Sequence, residues 1–210
     1  MNDEITVVMN VISILGTVVG ILGTGFGVWG VVLAIESKKA NRKLKDVTWS
    51  DIHAATKFFW KNLKNKKFTP TMIITPGQKG GIVAKMVSDF YTDEIPILTG
   101  YFESVGKKPI NYEGYTTFYT TKWNIHLPIA IQEYKNKQAA KLLIVDDFVM
   151  SGDFLHSLKN ELTNLGYLDS NIYACAVAVT KVAIDSKKGP DFYWKVVDDK
   201  DFDFPWGKAE

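Results

Sequence analysis

Asp146 and Asp147 directly follow the apolar run Leu142-Leu143-Ile144-Val145, and Ser151-Gly152 comes shortly after them. A strand that ends in two carboxylates and turns through Ser-Gly into a helix aims free backbone N–H groups and a positive dipole end at one point, which suits a phosphate. Ser151 adds a hydroxyl donor. Asp146 and Asp147 can accept hydrogen bonds from sugar hydroxyls or help hold a hydrated magnesium ion. A second stretch, Gln78-Lys79-Gly80-Gly81, follows the short apolar run Met72–Thr75. Its glycines let the backbone approach an anion closely, and Lys79 supplies the charge. Acidic pairs are commonly solvated loop residues and K-G-G turns are common. The buried run before the acids, and the position of both stretches after apolar strands, give them weight as one site.

The elements that must position these residues follow from periodicity. Trp49, Ile52, Ala55, Phe59 and Leu63 recur at three and four residues and predict a helix from about Ser50 to Lys66, capped by Thr48 or Ser50. Strands are predicted at Met72–Thr75 and Ile95–Leu98, with a loop over 76–81 and a helix from Ile82 to Tyr91 between them. Residues 100–139 show no clear period and read as loop with a β-hairpin around Tyr115–Trp123. Lys141–Val145 is continuously apolar, as strands buried on both faces of a parallel sheet are. A helix from Asp153 to Leu165 carries Leu155, Leu158, Leu162 and Leu165 on one face and stops at Gly166. Ile172–Val179 is another buried strand, and the tail from Phe192 to Trp206 is aromatic and partly extended. Strand and helix alternate, so the class is α/β with a mainly parallel, Rossmann-like sheet and helices on both faces. Ligands bind such sheets at the carboxyl ends of strands.

The N-terminal part has a different composition. From Ile5 to Ile35 no charged residue occurs, and about 20 apolar helical residues span a bilayer core. Residues 1–35 therefore read as one transmembrane helix. A signal peptide would need a positive start and a shorter apolar stretch, whereas this start carries Asp3 and Glu4. Lys38, Lys39, Arg42, Lys43 and Lys45 follow the span and none precedes it, which places the N-terminus outside and the C-terminal domain in the cytoplasm. Residues 36–47 form a basic juxtamembrane linker able to touch anionic lipid, and residues 48–210 form the domain. Gly16/Gly20 and Gly23/Gly27 have the G-x-x-x-G spacing that allows close helix packing in lipid. They are read either as a homo-oligomer contact or as ordinary glycines of a span. A net charge of +2 argues for no nucleic-acid partner. The single cysteine, Cys175, lies in an apolar run, forms neither an internal disulfide nor a zinc site, and reads as a small core residue.

Taken together, Thr48 to Trp206 resembles the type I phosphoribosyltransferases, and within them the xanthine/guanine branch. The resemblance implies that Asp146 and Asp147 contact the ribose hydroxyls of 5-phosphoribosyl-1-pyrophosphate (PRPP) and that Ser151, Gly152 and Asp153 hold its 5-phosphate. It implies that Lys79-Gly80-Gly81 serves as the pyrophosphate loop and that Mg2+ is the cofactor. It also implies that Lys181, after Ala178-Val179-Thr180, contacts a purine-like base. Phe202, in Phe202-Asp203-Phe204-Pro205-Trp206, would stack on that base, sharing a small hood with Tyr193 and Trp194. The chain departs from the family pattern at three places. Met150 stands where many 6-oxopurine enzymes carry an acid, and a thioether transfers no proton. Phe154 replaces a usual hydroxyl, and Phe148 a usual aliphatic residue.

Three functions are consistent with these residues. One is phosphoribosyl transfer from PRPP to a purine-like base with release of pyrophosphate. Another is a sensor that binds PRPP or a nucleotide without turnover. The third is a membrane effector of a bacterial anti-phage system, which nothing in the residues requires. A transport role finds no support in a span without charges.

Overall fold

The computed structural model describes residues 46–106, 113–120 and 122–209. The transmembrane helix, the glycine pairs and all but the last two positions of the basic linker lie outside the described residues. Among the described residues no helix is long and apolar enough to cross a membrane.

Helix α1 (Trp49–Asn65) opens the domain. Thr48 caps it: the Asp51 N–H donates to the Thr48 hydroxyl while the Thr48 N–H donates back to the Asp51 carboxylate, 2.9 Å away, a reciprocal box that satisfies two orphan donors. Its buried stripe is Ile52, Ala55, Thr56, Phe59 and Leu63. Strand β1 (Met72–Thr75), helix α2 (Gln78–Ser88) and strand β2 (Ile97–Thr99) follow. Then come three antiparallel strands, β3 (Tyr101–Ser104), β4 (Tyr115–Tyr119) and β5 (Trp123–Pro128), and the short α3 (Ala130–Glu133). Strand β6 (Leu142–Val149), α4 (Asp153–Asn164), β7 (Ile172–Thr180), α5 (Lys181–Asp185) and β8 (Phe192–Val197) complete the main body. A C-terminal hairpin of β9 (Asp203–Phe204) and β10 (Gly207–Lys208) closes the chain.

The five-stranded sheet has the order β2-β1-β6-β7-β8, and every pairing is parallel. This is the doubly wound order in which the chain reverses direction beside the first strand, so the crevice lies beyond the carboxyl ends of β1 and β6. Ile74 pairs with Ile144 there. One face is covered by α1 and α2 through Ile52, Phe59, Leu63, Val83 and Val87, the other by α4 through Leu155, Leu158 and Leu162. Tyr167, fully buried, donates from its hydroxyl to the Ile131 carbonyl at 2.7 Å and ties the second face together. Cys175 is a core residue on β7, where burial pushes its thiol up.

Four expectations are corrected. Lys79-Gly80-Gly81 is not a loop: α2 starts at Gln78, so these residues form its first turn. Asp146 and Asp147 lie inside β6 rather than beyond it, because the strand continues through Phe148 and Val149. The 100–139 region holds a three-stranded antiparallel sheet of order β3-β5-β4, in which the expected hairpin is only one part. Tyr193 and Trp194 belong to β8 of the central sheet, where Trp194 packs edge-on to Phe58 of α1.

Candidate functional site

Two of the candidate stretches meet in the crevice. A Cβ on Gly80 would lie 2.7 Å from the Val145 carbonyl oxygen and 3.2 Å from the Asp146 Cα. Only a glycine lets the first turn of α2 sit this close to β6 at the acidic pair. The first turn of α2, and with it the positive end of the helix, therefore packs directly beside the acidic pair. Thr75, at the carboxyl end of β1, is wholly buried, and its hydroxyl has no hydrogen-bond partner among the described residues. A Cβ on Gly81 would stand 4.0 Å from that hydroxyl. A buried orphan hydroxyl beside a helix N-terminus is a donor available to an anion.

The acidic pair is electrostatically costly. Burial, and then the neighbouring Asp147 charge, hold the Asp146 carboxyl well above its ordinary value. Burial also raises Asp147, opposed by the Trp206 indole and by the positive charge of Lys79. One Asp146 oxygen accepts from the Asp147 N–H at 3.0 Å, and one Asp147 oxygen accepts from the Trp206 indole N–H at 3.0 Å. The Lys79 ammonium donates to the Lys208 carbonyl at 3.1 Å. The C-terminal hairpin thus touches both halves of the crevice.

The Ser151-Gly152 turn leads into α4. Gly152 has φ +74°, and a Cβ there would overlap the Lys188 backbone, 2.3 Å from its carbonyl oxygen. The Ser151 hydroxyl accepts from the Asp153 N–H at 3.3 Å, and the Thr180 hydroxyl donates to the Met150 carbonyl. Asp153, expected to serve a phosphate through its backbone, has its side chain gripped by Lys122 and Lys188, each at 2.6 Å. These two lysines hold its carboxyl far below the usual range. They also bring positive charge to the turn, and local pattern did not reveal either of them. Lys122 comes from the turn between β4 and β5, and Lys188 from the segment after α5.

Phe154 has a role that its position in the sequence did not disclose. Its ring lies 5.1 Å from Phe102 and 6.4 Å from Trp123, so it fastens the antiparallel sheet to the start of α4. Phe102 also stands beside Gly77 at the other side of the crevice, 3.3 Å from where a Cβ would be. Phe154→Ala is expected to leave the central sheet intact and to speed amide hydrogen exchange across β3, β4 and β5 by at least about tenfold. That factor corresponds to about 1.4 kcal/mol of lost aromatic packing. Unchanged exchange would refute this anchoring role.

Lys181 stands at the carboxyl end of β7, exposed and paired with Asp198 at 2.7 Å. Phe202 is corrected: it is 1% exposed and packs edge-on to Phe148 and against Phe204, so it is a core ring with no free face for a base. Phe148 is thereby part of the same aromatic packing in the core. Met150, 49% exposed, stands at the rim beside the Ser151-Gly152 turn.

The donor set bears on Mg2+. Among the described residues no cluster of three or more His, Cys, Asp or Glu could hold a metal by itself. Mg2+ is commonly held by one or two carboxylates with water and substrate phosphates supplying the rest. Asp146 and Asp147 are two adjacent carboxylates, a donor set that fits that shared mode and no all-protein cage.

No protein-family model and no curated protein matches the chain. Solved structures do. A purine phosphoribosyltransferase from Pyrococcus horikoshii aligns with a TM-score of 0.55 and 20% identity, covering 78% of this chain and 94% of that one. A xanthine-guanine-hypoxanthine phosphoribosyltransferase from Helicobacter pylori gives 0.53 and 15%, covering 77% and 90%. A hypothetical protein from Neisseria gonorrhoeae with bound ppGpp gives 0.53 and 18%, covering 76% and 86%. The α/β fold of this chain, with its mainly parallel sheet, is therefore similar to that of these phosphoribosyltransferases.

Proposed function

We propose that the domain binds PRPP in the crevice between β1 and β6 and transfers its phosphoribosyl group to a purine-like base, releasing pyrophosphate. The observation that carries this reading is the contact between the first turn of α2 and the acidic pair of β6, with Gly80 against Asp146. Asp146 and Asp147 accept from the ribose hydroxyls and face the positive charge that grows on the sugar as the bond to pyrophosphate breaks. Lys79 and the N–H groups of the α2 first turn take the negative charge that grows on the departing pyrophosphate, with Thr75 as a further donor. Ser151, Gly152 and the first N–H groups of α4 hold the 5-phosphate, beside Lys122 and Lys188. Lys181 lies where the base would be met. The chemistry needs placed charges more than a covalent partner. When bound through Asp146 and Asp147, Mg2+ would supply further positive charge to the pyrophosphate oxygens. Full-length protein given PRPP, Mg2+ and a panel of purine bases is expected to release pyrophosphate with at least one of them. No release with any would refute turnover.

A second reading, binding without turnover, is favoured by Met150. It occupies the place of a proton-transferring acid with a side chain that transfers none. The Neisseria structure shows a similar fold with ppGpp bound, which supports nucleotide binding under either reading. Calorimetric binding of PRPP or a nucleotide without pyrophosphate release would select it.

The cellular setting is part of the proposal. The uncharged run Ile5–Ile35 and the basic cluster after it support a single-pass anchor in the cell membrane with the domain on the cytoplasmic side. The G-x-x-x-G pairs support self-association in the membrane.

A further inference from the structure

We propose that Trp206 is a positioning residue of this site: its indole N–H locks one oxygen of Asp147 so that the other is presented to the ribose. The inference rests on the reading of the crevice given above. Three observations carry it. The bond is direct, 3.0 Å from the Trp206 Nε1 to the Asp147 Oδ2. Its acceptor is nearly sealed from water, with Asp147 only 7% exposed. Its donor is fixed on two sides: the indole stacks on Phe204 at 5.1 Å and 4° between planes, and meets Trp49 of α1 edge-on at 5.8 Å. Phe204 in turn packs on Phe202, and Phe202 on Phe148, the residue that follows Asp147 in β6. The ring that orients the carboxylate is thus braced against the strand that carries it.

The residue type matters. An indole N–H donates and never accepts, so it fixes which way the carboxylate turns. A water or a lysine in its place could rotate or leave. The same hairpin also receives the Lys79 ammonium at the Lys208 carbonyl. That second contact separates two roles. If Trp206 works through Asp147, its N–H matters to a ligand with ribose hydroxyls and not to pyrophosphate alone. If the hairpin is only a scaffold, disturbing it affects Lys79 as much as Asp147.

The test is calorimetric titration of the full-length chain by PRPP with Mg2+ and separately by inorganic pyrophosphate with EDTA in place of Mg2+, so that no metal on Asp147 links the second ligand to it. Trp206→Phe keeps an aromatic ring against Phe204 and Trp49 and removes the N–H. Replacement of Trp206 by 3-benzothienylalanine, which puts sulfur in the place of N–H, repeats the test without altering the ring shape. Partners that orient metal-ligating side chains are typically worth 10- to 100-fold, and the lower end of that range is the effect expected here. The expected result is a Kd for PRPP raised about tenfold in both variants, with the Kd for pyrophosphate unchanged within about twofold. An unchanged PRPP Kd overturns the inference. So does an equal loss of both ligands, which would make the hairpin a scaffold. Wild-type protein that binds pyrophosphate and not PRPP overturns the underlying reading of the crevice, a result distinct from either.

Discussion

Asp146→Asn is expected to raise the thermal midpoint at pH 7 and, in the same protein, to weaken PRPP binding by about 10- to 100-fold. Burial and the adjacent Asp147 charge push the Asp146 carboxyl well above its ordinary value, so its ionised form is disfavoured in the folded state. At any pH between the unfolded carboxyl value, about 4, and the raised folded value, the folded chain binds more protons than the unfolded one. Stability then falls as pH rises through that window, and below about 4 the pair costs nothing. Asn removes the charge, so the variant does not share the loss. Relief of at least about 1 kcal/mol, on the scale of one buried charge made neutral, corresponds to about 2–4 °C for a domain of this size. The binding loss follows from putting an amide NH2, which cannot accept, beside the donating ribose hydroxyls, at about 1–3 kcal/mol for a polar group left unsatisfied. Melting curves from pH 4 to pH 8 check the first claim: wild type and variant should coincide at the acid end and diverge above it. A variant less stable than wild type at pH 7 would mean that Asp146 is held by partners that reward its charge.

Gly80→Ala and Gly81→Ala, two adjacent methyl additions, are expected to differ sharply. At Gly80 the new methyl would sit 2.7 Å from the Val145 carbonyl oxygen, and backbone cannot swing aside as a side chain can. Helix α2 must therefore withdraw from β6. Overpacking of this kind costs about 1–3 kcal/mol, more than the gain of about 1 kcal/mol that alanine offers over glycine within a helix. Withdrawal also carries Lys79 and the α2 N–H groups away from the acidic pair, so PRPP and pyrophosphate should both bind at least about tenfold more weakly. At Gly81 the nearest atoms are the Thr99 hydroxyl at 3.9 Å and the Thr75 hydroxyl at 4.0 Å, ordinary contact distances. Gly81→Ala should fold at least as stably as wild type. Denaturant unfolding of the two variants side by side checks the contrast, and equal stabilities would show that α2 is not pinned by its approach to β6.

The central sheet was legible because burial on two faces leaves a mark that needs no context. Met72–Thr75, Leu142–Val145 and Ile172–Val179 are continuous apolar runs, and all three lie within parallel strands. The stripes of α1 and α4 were legible for the corresponding reason at helical period. The start of α2 was not. Two consecutive glycines read locally as a turn, and only the close approach to Asp146 explains their place inside a helix. Strand β6 ran past its expected end because Phe148 and Val149 continue the burial after two acids had suggested solvent. The antiparallel sheet escaped notice because β3 and β4 are half-exposed and mix aromatic with polar residues, without a full alternation.

The candidate stretches could be picked out where chemistry and chain position coincide, as in the acidic pair and Lys79-Gly80-Gly81. Contacts that join distant segments were illegible. Trp206 reaches Asp147 across 59 positions, and Lys188 reaches Asp153 across 35. Phe202 was misread for the same reason. An aromatic ring near the C-terminus suits stacking on a base, yet the fold turns this one into the core and gives the neighbouring Trp206 the polar contact instead.

The most direct measurement is a calorimetric titration of the full-length chain with PRPP in the presence of Mg2+, beside Asp146→Asn under the same conditions. Saturable one-to-one binding by the wild type that falls at least about tenfold in the variant is the predicted result. Wild-type binding that Asp146→Asn leaves unchanged, or no binding at all, would contradict the assignment of this crevice to a phosphorylated sugar.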